Sequence, residues 1–145
     1  MSQITAHGLR TTAGEALRPA PVQLVCPMLD RLAWLLLALL HLPPAVALVR
    51  TGLIETLYGV ARETPAFLIA QHRAALFAAV LTICLWAIAD ESVRRLATLV
   101  CAISMLSFLL LYWQAGAPSA LRTIALADML FLPVLAWAGW RAFTA

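Results

Sequence analysis

Four long apolar blocks, each set off by charged residues, constrain this chain more than any other feature. They cover residues 32–49 between Arg31 and Arg50, 74–89 between Arg73 and Asp90, 96–113 after Arg95, and 123–140 between Arg122 and Arg141. A bilayer core of about 30 Å needs about 20 helical residues at a rise of 1.5 Å each. Lipid offers no partner to backbone N–H and C=O groups, so blocks of this length must be helices. The expected fold is therefore all-α: an integral membrane four-helix bundle. Its spans are expected at about 32–49, 64–89, 95–113 and 122–141, within a domain covering 28–145.

Composition supports this class. Hydrophobic residues make up 63% of the 145 and charged residues 12%, against about 25% charged in soluble domains. Too few polar residues remain to coat a water-soluble fold. All ten basic residues are arginine, which with the abundant alanine and leucine reads as the codon bias of a GC-rich bacterial genome. They form no cluster of the kind that grips phosphate backbones, so no nucleic-acid partner is expected.

The second block is short until its start signal is included. Thr64 is a candidate N-cap and Pro65 a candidate first helical residue, which draws His72 and Arg73 into the span. Between the first two spans, residues 51–63 mix Leu53, Ile54, Leu57, Tyr58 and Val60 with Glu55, Arg62 and Glu63. This reads as a short interfacial amphipathic helix. Residues 90–95 read as a tight hairpin.

Residues 1–27 are small, polar and proline-containing. They are expected to be a disordered tail, or to precede a true start at Met28, and they lack the apolar stretch of a signal peptide. Loop arginines place both termini in the cytoplasm of a bacterial inner membrane by the positive-inside rule. Trp34, Trp86, Trp137 and Trp140 would mark the terminal-side interface, with Tyr112 and Trp113 at the other. The partners expected are the lipid bilayer and a membrane complex or a second copy of the chain.

Ionisable groups within hydrocarbon are costly and usually face the protein interior. Four qualify: His41, His72, Arg73 and Asp128. Counted from the outer loops, all lie about 9–14 Å along their helices, in one layer. Pro43, Pro44 and Pro133 free backbone carbonyls near this layer. An Arg73–Asp128 ion pair is expected, with the histidines bonding Asp128 or the freed carbonyls. Two readings stay open: a polar knot that fixes helix register, or a pocket facing the outer side, covered by Glu55 and Tyr58.

No nucleophile–base pair or phosphate loop is legible, so an enzyme is not the expected reading. Cys26, Cys84 and Cys101 have no C-x-x-C spacing and no adjacent histidine. No metal site is expected, and Cys84 and Cys101 are read as neighbouring free thiols. His41 and His72 could supply two axial nitrogens to haem or copper, a lesser alternative to no cofactor. The Ala74, Ala75, Ala78 and Ala79 face, Ser104 and Ser107 read as helix packing.

A first helix ending in His-Leu-Pro-Pro, followed by Leu57-Tyr58-Gly59, His72-Arg73 and Arg122…Asp128, resembles a family of small bacterial four-helix membrane proteins. Its layout is similar to the DoxX-like group, over about residues 28–141. The resemblance implies a role for His72, Arg73 and Asp128, and an association with quinone-linked sulfur oxidation or with respiratory and redox-stress complexes. It carries no catalytic residue set. The function expected is a non-catalytic accessory subunit or a binder of a small amphiphile. A quinone-linked redox subunit and an oligomeric transporter or channel are the alternatives.

Overall fold

A computed structural model describes residues 20–144, with side chains from Pro27 onward. It contains five α-helices and, among the described residues, no strand: α1 (Ala20–Val46), α2 (Gly52–Tyr58), α3 (Pro65–Ala89), α4 (Arg94–Gln114) and α5 (Arg122–Thr144). Among the described residues, four stretches are long and apolar enough to cross a membrane: Pro27–Val46, Pro65–Ala89, Glu91–Gln114 and Ser119–Thr144. The chain is a multi-pass membrane protein with a short helix between its first two spans. The expected tail overlaps α1, which begins at Ala20; residues 1–19 lie outside the described residues.

The helix ends follow local chemistry. Thr64 takes an extended conformation with Pro65 at the first helical position, as its sequence suggests. Its hydroxyl does not cap α3, however; it donates to the Ala61 carbonyl at 2.7 Å. Between α3 and α4, Asp90 accepts from the Ser92 amide at 2.9 Å and a 3-10 turn (Glu91–Val93) closes the hairpin. Beyond α4, the Ala117 amide reaches the Tyr112 carbonyl at 2.9 Å and the Gly116 amide reaches Trp113 at 3.1 Å. That is the Schellman pattern, with Gly116 at φ 76° where a side chain is disfavoured.

The main core joins four helices: Trp34 and Leu37 from α1, Cys84 from α3, Cys101 and Met105 from α4, and Leu135 from α5. Trp34 is 1% exposed, so it is a core side chain rather than an interface anchor. Trp86, Trp137, Trp140 and Trp113 are exposed, whereas Tyr112 is buried. On α3 the expected alanine face is only partly inward: Ala74 is buried but Ala79 is exposed. Gly139 of α5 permits a close approach to α4, since a Cβ there would stand 2.9 Å from the Thr98 methyl. Leu68, Ile69, Ile103 and Leu130 point outward, apolar surface of the kind that lipid or a protein partner covers.

Helix α2 packs Ile54, fully buried, against Ala47 of the chain leaving α1 and Ala74 of α3. This docking sets α2 across the end of the bundle farthest from the termini. Its C-terminal Tyr58 lines a cavity together with Pro43 and Pro44 of α1.

Candidate functional site: a cavity beneath the short helix

A cavity of about 190 Å³ lies at this end, lined by His41, Pro43 and Pro44 of α1, Tyr58 of α2, Arg73 and Phe77 of α3, Ser104 and Phe108 of α4, and Thr123 and Asp128 of α5. Three of the four expected layer residues meet here, with Tyr58 over them. His72 does not: it is exposed on the outside of α3. Successive helical residues diverge by about 100°, so an inward Arg73 forces His72 outward. Glu55 is no cover either; it accepts from Arg62 Nε at 3.1 Å on the exposed side of α2.

The expected Arg73–Asp128 ion pair does not form. Both side chains line the cavity, but among the described residues no salt bridge joins them. The Arg73 guanidinium instead lies 5.2 Å from the Phe108 ring centre, 5.4 Å from Phe77 and 5.9 Å from Tyr58. Aromatic faces attract a cation most strongly where water is excluded. They hold the guanidinium by its surroundings and do not consume its N–H donors. Burial raises the Tyr58 phenol above its usual value of 10, with Arg73 opposing the rise and Asp128 adding to it.

His41 donates neither to Asp128 nor to a carbonyl freed by proline. Its Nδ1 bonds the Leu37 carbonyl one turn back, at 2.8 Å. Its ring also packs against Phe77, with centroids 5.9 Å apart. Ser104, read from sequence as packing, lines the cavity, while Ser107 bonds back to the Ser104 carbonyl at 3.3 Å. Phe77 and Phe108 sit four residues after Arg73 and Ser104 on their helices, and that i,i+4 spacing was the available signal for them.

A second polar cluster occupies the opposite end. Asp30 of α1 is buried and accepts from Arg141 Nε at 3.1 Å and Nη2 at 3.2 Å. Arg94, also buried, reaches the Ala87 carbonyl and Glu91, with Asp30 at 3.9 Å. From the sequence the two arginines counted only as topology markers, and Asp30 was given no role.

No family model, curated protein or solved structure matches the chain.

Proposed function

We propose that the cavity binds the headgroup of a membrane amphiphile, and that the protein serves as a non-catalytic binder or accessory subunit in the bacterial inner membrane. The observation that carries this reading is Arg73: a guanidinium held by three aromatic rings, with no ion pair, beside a carboxylate in a largely apolar pocket. Its forked donors suit a planar oxygen acceptor. An apolar cavity of about 150 Å³ accommodates benzene, so about 190 Å³ suits one substituted six-membered ring. A tail attached to that ring would lie in the surrounding lipid.

A quinone is one amphiphile of this description, which supports the redox-subunit alternative implied by the DoxX-like resemblance. With His72 outside, its ring oxygens would take hydrogen bonds from Arg73. The termini are assigned to the cytoplasm, where Arg31, Arg94, Arg95 and Arg141 lie at that end against Arg50, Arg62 and Arg122 at the other. The cavity then opens in the outer leaflet.

Purification into lipid nanodiscs followed by mass spectrometry of extracted small molecules tests the proposal. A ring-headed amphiphile should be retained by the wild type and lost from Arg73→Gln. Equal retention by both, or none by either, would refute it.

A further inference from the structure

Where α1, α3 and α4 meet, a ring nitrogen of His41 and the Sγ atoms of Cys84 and Cys101 all lie within 4.8 Å of one another. The three residues are 2%, 0% and 0% exposed. The sulfurs are 3.3 Å apart and belong to free cysteines. Two buried thiols alone would pass as small apolar side chains. A buried imidazole beside them is different, because a polar ring in hydrocarbon must be compensated.

The Nδ1–H of His41 is already committed to the Leu37 carbonyl. Metal-bound imidazoles are held in just this way, with one N–H on a backbone carbonyl and the lone pair of the other nitrogen left to the metal. Metal–thiolate bonds of about 2.3 Å place two sulfurs about 4 Å apart around a trigonal ion. The present spacing would have to widen by less than about 1 Å.

We propose that His41, Cys84 and Cys101 form a buried site for one Cu(I) ion. Thiolate ligands select Cu(I) or zinc over harder ions. Zinc requires a fourth ligand to complete its tetrahedron, and among the described residues the cluster holds three His or Cys ligands and no carboxylate. The side chain one turn beyond Cys101 in the same packed cluster is Met105, 1% exposed, a thioether suited to Cu(I). Binding exchanges two thiol protons for one Cu(I) and leaves one negative charge. Arg73, on the cavity wall that His41 shares, supplies a positive charge to offset it. The C-x-x-C spacing that sequence inspection seeks is absent because the ligands come from three different helices.

The test uses the full chain purified anaerobically in detergent and titrated with Cu(I) against a colorimetric Cu(I) chelator. One Cu(I) per chain is expected, with an ultraviolet thiolate-to-copper band and both sulfur and nitrogen neighbours by X-ray absorption. Cys84→Ser, Cys101→Ser and His41→Phe should each weaken binding by on the order of 100-fold. Cys26→Ser should not, since Cys26 lies 15 residues before His41, about 22 Å along α1. Because the serine variants can fail to fold, a second measurement uses the unaltered chain: Cu(I) should protect Cys84 and Cys101 from a membrane-permeant alkylating agent. Wild-type affinity in folded Cys84→Ser, absence of protection, zinc that Cu(I) does not displace, or a Cys84–Cys101 disulfide in the anaerobic protein would each overturn the proposal.

Discussion

Arg141 reaches back 111 positions to Asp30 and donates to both of its carboxylate oxygens, tying the last helix of the chain to the first. The Asp30 side chain is only 9% exposed and the Arg141 side chain 32%. Removing one partner of a buried pair strands the other. Arg141→Gln leaves the buried Asp30 carboxylate facing Arg94 across 3.9 Å and should cost about 3 kcal/mol. Asp30→Ala removes the buried charge itself, while Arg94 keeps Glu91 and the Ala87 carbonyl and Arg141 is partly solvated, so it should cost about 1 kcal/mol. Thermal unfolding in one detergent, with both variants side by side, measures the difference; equal losses would show that burial of Asp30 is not decisive.

The contact between Gly139 and Thr98 predicts a reversible clash. Gly139→Ala places a methyl group 2.9 Å from the Thr98 methyl and should cost about 1–3 kcal/mol through overpacking. Thr98→Ser removes that methyl while keeping the hydroxyl that donates to the Arg94 carbonyl. The double variant should therefore recover most of the loss in a double-mutant cycle. Simple additivity would place the damage elsewhere.

Arg73 should separate binding from stability. Arg73→Gln forfeits attraction to three rings, about 1–2 kcal/mol, and also relieves the cost of a charge in hydrocarbon. The melting temperature is expected to change little while amphiphile retention falls at least tenfold. Arg73→Lys should keep the charge and still bind weakly, because an ammonium lacks the planar fork.

Tyr58 predicts a signature at high pH. Its folded value lies above 10, so between that point and the folded value the unfolded chain has lost a proton that the native protein keeps. The stability Tyr58 contributes is complete below pH 10 and falls as pH rises beyond it. Phenolate absorbance of the wild type minus Tyr58→Phe should reveal a phenol ionising above pH 10. An ordinary titration curve would mean that Tyr58 is solvated.

The spans were legible because lipid leaves hydrophobic runs between charges a single backbone solution, and Thr64-Pro65 marked a helix start that charge alone obscured. Three of the four intramembrane ionisable residues read from the sequence, His41, Arg73 and Asp128, line one cavity. Rotation about each helix axis was not legible. It separates His72 from Arg73 and decides whether Trp34 faces lipid or core. Cys84 and Cys101 could be paired from sequence because they are equidistant from their hairpin. The approach of His41 to them depends on how α1 is turned, which no local pattern records. The pairing of Arg94 and Arg141 escaped notice because an arginine near a helix end satisfies a topology rule whether or not it is paired, and Asp30 stood just outside the first apolar block.

The Asp30–Arg141 tie makes the two ends of the bundle unlike each other. At one end α1 and α5 are joined by a charged clasp of two hydrogen bonds; at the other the same two helices contribute Pro43, Pro44, Thr123 and Asp128 to the wall of the cavity. The pair of helices that carries the clasp therefore also carries two sides of the cavity, so a variant at either end is read both in melting temperature and in what the protein retains.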